Sequence, residues 1–335
     1  GVHEFIPTEL KIKYLNSLLK VGYDILDFGS FVSPKAIPQL RDTEQVLEKL
    51  DLEQTKTELL AIVANLRGAK TACQFDQIQH LGFPLSVSET FQQRNTKKSI
   101  AQALETIEEL QNLTAKHNKT SHIYLSMGFG NPYGEAFHPD LLAELSLKLH
   151  NLGIRSIIPS DTIGAAKASQ IKEQFEFLDQ EFKDVTWGAH LHSRPENSME
   201  KIDAVFNSPC ARLDFAVQGF GGCPMAKDDL VGNIATEKVI SYLNSKQIDN
   251  QLIFFEILSC SKLYYQLQLN QEMKQLAQER FDIIKESFVL GAISITDLTL
   301  AQREKDQTAR EYIFTLSQYW QNYFELKTMT LYDFN

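Results

Sequence analysis

The sequence predicts an α/β fold, a (β/α)8 barrel lacking its first strand, followed by a C-terminal α-helical hairpin. Three observations predict it. From residue 8 to about residue 250, short apolar runs alternate with longer amphipathic segments. Polar and glycine-rich residues recur where those runs end, at Ser30, Asn131, Asp161, His190, His192 and Gly219–Cys223. After about residue 251 the alternation stops and two long helical periods take its place.

The apolar runs are Asp24–Val32, Thr57–Asn65, Phe75–Pro84, His122–Phe129, Ser156–Asp161, Thr186–Ser193 and Arg212–Gly221. Their brevity and their β-branched, aromatic and leucine content favour parallel strands buried on both faces. Helical patterns lie between them, among them Thr8–Val21, Lys97–His117 and Pro139–Leu152. Pro139 opens its helix, and Gly22 and Gly153 close theirs, as the capping asymmetry requires. Such alternation fits a doubly wound sheet or a barrel. Chemistry-bearing residues at the C-terminal strand ends favour the TIM-type barrel, whose active sites sit there. Seven runs are legible, and the eighth strand is expected before Thr8.

The tail reads differently. Leu252–Tyr265 is mixed and apolar with no clear period. Gln271–Val289 then carries Met273, Leu276, Phe281, Ile284 and Phe288 on one helical stripe, and Gly291 ends it. Asp297–Leu326 carries Ala309, Tyr312, Leu316, Tyr319, Tyr323 and Leu326. Stripes of this spacing predict two helices packed as a hairpin. The expected domains are therefore a barrel over 1–250 and a helical hairpin over 251–335.

Composition narrows the function. The chain is 43% hydrophobic and 23% charged, as ordinary globular proteins are. A net charge of −10 disfavours a nucleic-acid partner and polybasic membrane contact. Cys73, Cys210, Cys223 and Cys260 are scattered with no CxxC pair, which suits a reducing compartment. No apolar run reaches membrane-spanning length, and the N-terminus does not read as a signal peptide.

The chemistry centres on Thr186–Ser193. Side chains alternate along a strand, so His190 and His192 face the same way, about 7 Å apart. Two imidazoles converging at a strand end are a natural pair of metal ligands. The plain alternative is a half-buried strand that happens to carry two histidines.

Five motifs in order decide between these. Ser30-Phe-Val-Ser-Pro-Lys35 with Pro38-Gln39, Ser160-Asp-Thr-Ile-Gly164, Gly188-Ala-His-Leu-His192, Gly219-Phe-Gly-Gly-Cys-Pro-Met-Ala226 and Gly232-Asn-Ile-Ala-Thr-Glu237 resemble 3-hydroxy-3-methylglutaryl-coenzyme A lyase. The resemblance implies a metal-dependent carbon–carbon lyase that yields acetoacetate and acetyl-coenzyme A. It implies a divalent cation, Mg²⁺ or Mn²⁺, held by His190, His192 and Asn233, though Asn233 alone would read as a helix cap. Catalytic roles are implied for Cys223, His190, Asp161, Asp27 and Glu237, and substrate contacts for Ser30, Lys35 and Asn131. Asp27 stands where these lyases carry a glutamate, one methylene longer. Bland alternatives are a buried thiol for Cys223, a helix cap for Asp161 and a surface charge for Glu237.

The family's fourth ligand and its catalytic arginine lie in an Arg-Asp pair that would precede Gly1. These 335 residues alone are therefore expected to aggregate and to lack turnover. Expected partners are a coenzyme A thioester and no nucleic acid. A homodimer is admitted, and membrane association is not expected of the barrel, which reads as cytoplasmic. Gln271–Phe334, with Leu276-Ala-Gln-Glu-Arg-Phe281, Gly291-Ala-Ile-Ser-Ile-Thr-Asp-Leu298 and Ala301-Gln-Arg303, resembles the helical part of TolC-like outer-membrane efflux channels. Since those channels sit in the cell envelope, the expectation is a joined fragment with its seam near 252–262. The alternatives are a lyase with a recruited helical tail, or a non-catalytic envelope or coiled-coil interaction protein.

Overall fold

The computed structural model describes residues 5–222, 231–248 and 254–330, the side chains of 254–265, 267–268 and 321–330 excepted. Its contacts divide the chain into two compact units, residues 1–251 and 252–335.

The first unit begins with α1 (Thr8–Leu19), β1 (Ile25–Ser30), a 3-10 turn at Pro38–Leu40 and α2 (Thr43–Leu47). Next come β2 (Glu58–Ile62), α3 (Leu66–Ala72), β3 (Ile78–Ser86), α4 (Glu89–Thr96), α5 (Ile100–Lys116) and β4 (Thr120–Ser126). The chain continues through α6 (Pro139–Asn151), β5 (Ser156–Asp161), α7 (Ala168–Glu181), β6 (Thr186–Ser193), α8 (Ser198–Phe206) and β7 (Arg212–Asp214). A second 3-10 turn (Val217–Gly219), β8 (Gly232–Asn233) and α9 (Thr236–Ser245) complete the unit.

Strands β1 to β7 pair in chain order, each parallel to the next, and β8 pairs antiparallel with β6. Among the described residues β1 pairs only with β2, and the seven-strand path ends at β7. The sheet therefore curls into an open barrel wall, as the expected fold class requires. Across the opening the rings of Tyr23 and Phe215 meet edge to face at 5.8 Å.

Alternation sorts the strand residues. On β4, Ser121 reaches α5 through a 2.8 Å hydroxyl pair with Thr114, and Ile123 and Leu125 are fully buried beside it. His122 and Tyr124, one residue out of phase, face the concave side, where they meet Arg212. The outer layer is hydrophobic core, with Leu59, Leu81, Phe83, Ile107, Phe175 and Ile202 at 1% exposure or less. Burying each such side chain stabilises the fold by roughly 1.5–3 kcal/mol. Helix α5 starts on a reciprocal cap, Gln102 N–H to Ser99 Oγ and Ser99 N–H to Gln102 Oε1, which sets its entry from α4.

Three strand boundaries differ from expectation. Arg212–Gly221 stops as a strand at Asp214, because Gln218 (φ 54°) and Gly219 (φ 68°) take left-handed backbone that cannot continue a ladder. His122–Phe129 ends at Ser126, where Met127 (φ 59°) turns the chain. Phe75 belongs to a turn that Ile78 N–H closes onto its carbonyl, so β3 begins later and runs to Ser86.

In the second unit α10 (Phe254–Val289) and α11 (Ile295–Thr330) form two long helices joined through Gly291 (φ 72°). Helix α10 thus extends back through Phe254–Tyr265, a stretch whose apolar pattern showed no period. The buried seam also differs. Met273 and Leu276 are 49% and 60% exposed, whereas Ala277, Ala301, Thr308 and Thr315 are buried. Small side chains let the helix axes approach, and Asn270 Nδ2 donates to Thr315 Oγ1 across the seam at 2.9 Å. No helix of the described residues is long and apolar enough to cross a membrane.

Candidate active site

Strand β6 delivers His190 and His192 to the concave side near its C-terminal end, with ring centroids 5.5 Å apart. Each imidazole has its Nδ1 engaged. His192 Nδ1 donates to the Thr162 carbonyl at 2.8 Å, and a carbonyl can only accept, so the proton is on Nδ1. His190 Nδ1 faces Asp214 Oδ2 at 3.4 Å, long for a hydrogen bond but of the same sense. Both Nε2 lone pairs are left for another partner, the arrangement by which outer groups orient metal-binding histidines. Burial, then the neighbouring His190, holds the His192 pKa below the usual imidazole value against the opposing Thr162 bond.

Asn233 sits opposite His192 in the β6–β8 ladder. Gly232 makes that pairing feasible, since a Cβ there would lie 2.5 Å from the Gly219 carbonyl oxygen. The Asn233 amide nitrogen donates to the Phe220 carbonyl at 2.8 Å, so its oxygen is the atom open to a ligand. Among the described residues no three His, Cys, Asp or Glu side chains gather as a metal-binding group. Two imidazole nitrogens and one amide oxygen are nonetheless donors that suit a divalent cation with open positions.

Beside these donors lies a cluster that sequence reasoning missed. Arg212 Nε donates to Asp214 Oδ1 at 2.7 Å, Nη2 to the Tyr124 hydroxyl at 2.9 Å, and Nη1 to His122 at 3.0 Å. Burial pushes the Asp214 pKa up, but the bond from His190 and the Arg212 charge outweigh it and hold the carboxyl well below the usual range. A period of two marks Arg212-x-Asp214 as sharing one strand face, the same signal that found His190 and His192. A three-residue strand made it faint.

Asp27 points into the same concave space. Crowding by protein atoms, and then the Asp214 charge, raise its pKa to about 7, against weaker lowering by the Gly29 backbone, His190 and Arg212. The side chain is also accessible to water, which makes its desolvation partial. A carboxyl whose folded pKa exceeds its ordinary 3.8 loses protons in the unfolded chain first as pH rises. Its contribution to stability is present below about pH 4 and is lost as pH rises to about 7. Denaturant unfolding at pH 5 and pH 8 is expected to show that loss in the parent and a smaller one in Asp27→Asn. Equal losses in the two proteins would remove Asp27 from the titrating groups.

The remaining expected residues stand elsewhere. Asp161 is 1% exposed, and both of its carboxylate oxygens are engaged. Its Oδ1 accepts from Ala165 N–H, and its Oδ2 from Ala166 N–H and Lys201 Nζ. Glu237 accepts from Gln218 N–H at 3.0 Å and pins the left-handed turn that follows β7. Ser30 Oγ is spent on backbone, donating to the Ile62 carbonyl and accepting from Val32 N–H. Asn131 closes its own loop through Tyr133 and Glu135, and Lys35 is exposed. Cys223 lies outside the described residues.

Residues 2–285 match the family described as HMGL-like. The chain belongs to the HMGL-like family. The match covers the first unit from residue 2 and runs past residue 251 into α10. Among curated members, hydroxymethylglutaryl-CoA lyase YngG of Bacillus subtilis is 32% identical over 258 residues, 77% of this chain and 85% of that protein. The cytoplasmic 3-hydroxy-3-methylglutaryl-CoA lyase of Homo sapiens is 26% identical over 277 residues, 83% of this chain and 74% of that one. Among solved structures, the Bacillus subtilis HMG-CoA lyase superposes with a TM-score of 0.71 at 31% identity, covering 77% and 85% of the two chains. An HMG-CoA lyase from Acinetobacter baumannii, in complex with coenzyme A and 3-methylmalate, gives a TM-score of 0.69 at 27% identity, covering 75% and 81%. The HMGL-like fold of this chain is thus that of the lyases.

Proposed function

We propose that the protein cleaves 3-hydroxy-3-methylglutaryl-coenzyme A to acetoacetate and acetyl-coenzyme A with the help of a divalent cation. The observation that carries this reading is the pair of strand-end imidazoles with Nδ1 engaged and Nε2 open, beside the Asn233 amide oxygen. His190, His192 and Asn233 would hold Mg²⁺ or Mn²⁺, which when bound gathers substrate oxygens and lowers the pKa of the tertiary hydroxyl. Asp27, with its raised pKa, is placed to accept the hydroxyl proton near neutral pH. Breaking the adjacent C–C bond leaves an enolate of acetyl-coenzyme A that must be protonated, the role we assign to Cys223. Asp214 and Arg212 shape the concave wall behind these groups.

The family assignment and the coenzyme A thioester lyases among its members support the substrate class. For the tail we infer a helical hairpin of the kind found in TolC-like channels, a reading supported by its motifs. The test is direct. The full gene product, loaded with Mn²⁺, is incubated with 3-hydroxy-3-methylglutaryl-coenzyme A, and acetyl-coenzyme A is measured in a coupled assay. Stoichiometric acetoacetate and acetyl-coenzyme A, abolished by chelator, are expected. Folded, metal-loaded protein that forms neither product would sink the proposal.

A further inference from the structure

We propose that His80 and His122 are positioning residues for the candidate site, two neutral imidazoles protonated on Nε2 that orient Arg212 and, through it, Asp214. The inference rests on the reading of His190 as a metal ligand and extends it to residues far from that ligand in sequence.

Donor and acceptor roles run one way along the chain of contacts. A guanidinium donates and never accepts. His122 Nδ1, 3.0 Å from Arg212 Nη1, is therefore an acceptor, and Ser156 Oγ donates to the same nitrogen at 2.7 Å. On the Arg212 contact alone the His122 proton then sits on Nε2, which lies 2.9 Å from His80 Nδ1. That nitrogen accepts in turn, so the His80 proton sits on Nε2 and is donated to Glu58 Oε2 at 2.7 Å. The two rings meet edge to face at 4.7 Å, and the histidines are 8% and 5% exposed. Burial, with the Arg212 charge, holds both imidazoles below their usual pKa against the pull of Glu58 on His80, which agrees with neutral rings.

The consequence reaches the site. Arg212 is a rigid planar fork, and His122, Tyr124 and Asp214 fix it at three points. Asp214 takes Arg212 Nε on one oxygen and faces His190 Nδ1 with the other. Loss of the His122 acceptor frees one arm of the fork, and the tilt passes to the carboxylate that sets the His190 ring. His80 in turn keeps the His122 proton on Nε2, and Glu58, at the start of β2, ends the chain.

The test reads tautomers first. In the ¹⁵N-histidine-labelled full gene product at pH 7.5, long-range ¹H–¹⁵N correlations are expected to show His80 and His122 as neutral Nε2–H forms. An Nδ1–H form or an imidazolium at His122 overturns the proposal without reference to activity. The second measurement is Mn²⁺ affinity by electron paramagnetic resonance. His122→Phe keeps an aromatic ring but removes the acceptor, and is expected to weaken Mn²⁺ binding by about threefold to fivefold, less than the roughly tenfold or more of a group bonded directly to a metal ligand, because Arg212 and Asp214 stand between. Glu58→Gln keeps an acceptor for His80 and is expected to stay within twofold of the parent. Unchanged Mn²⁺ affinity in folded His122→Phe overturns the proposal, and if that variant does not fold the tautomers decide. Parent protein that shows the tautomers and the Mn²⁺ response but forms no acetyl-coenzyme A would remove the proposed reaction and leave this assignment standing.

Discussion

Lys201→Met is expected to destabilise the first unit by about 3–5 kcal/mol, the cost of leaving a buried charge without its partner. Lys201 is wholly buried, and its ammonium donates three bonds, to Asp161 Oδ2 at 2.7 Å, the His192 carbonyl at 2.8 Å and the Gly164 carbonyl at 3.0 Å. Three donors meet three acceptors, so the group is satisfied where water is absent. Methionine fills the volume of the stem but leaves the Asp161 carboxylate short of a partner, and two carbonyls without their donor. For a unit of this size the loss corresponds to a fall in Tm of roughly 10 °C. The double variant Asp161→Asn/Lys201→Met removes both charges and is expected to recover most of that loss, since a buried pair as a whole is close to neutral in stability. Thermal unfolding followed by circular dichroism decides the matter. A single variant within about 1 kcal/mol of the parent would show that water reaches the pair.

With His192 in the proposed ligand role, His192→Ala should cost at least about a hundredfold in turnover, together with roughly 1–3 kcal/mol of stability from the Thr162 carbonyl left without its donor. The ring is 3% exposed and held by a backbone carbonyl, so it has a single orientation to offer. Its loss leaves a small cavity but no unpaired charge. The effect is expected in Mn²⁺ affinity and turnover together, which separates it from a folding defect. Turnover within threefold of the parent, at saturating Mn²⁺, would take His192 out of the ligand set and with it the proposed centre.

The two variants probe one short stretch of chain from opposite sides. Lys201 binds the His192 carbonyl, whereas the His192 side chain faces the concave space. The α8 helix thus locks the end of β6 from outside the barrel while the imidazole is presented inside. Buried structural charge and open functional nitrogen meet within one residue.

Much of this was legible in the chain itself. Strand and helix order follow from local periods, because a period of two or of 3.6 is set by backbone geometry within a few residues. His190, His192 and Asn233 could be singled out because their motifs are short and contiguous, and the β6–β8 ladder sets Asn233 opposite His192. Other features depended on tertiary structure. The ion pair of Asp161 was invisible in the sequence, since α8 brings Lys201, forty residues later in the chain, against it. Arg212 and His122 are ninety residues apart, and only the curl of the sheet sets β4 facing β7 across the concave side. In the tail, periodicity weighted by large apolar side chains selected Met273 and Leu276, whereas the closest helix approach selected Ala277 and Ala301. Local rules decide which face a side chain occupies. What meets it there is decided by the packing of elements far apart in sequence, and burial then determines whether a carboxylate is a base, a cap or half of an ion pair.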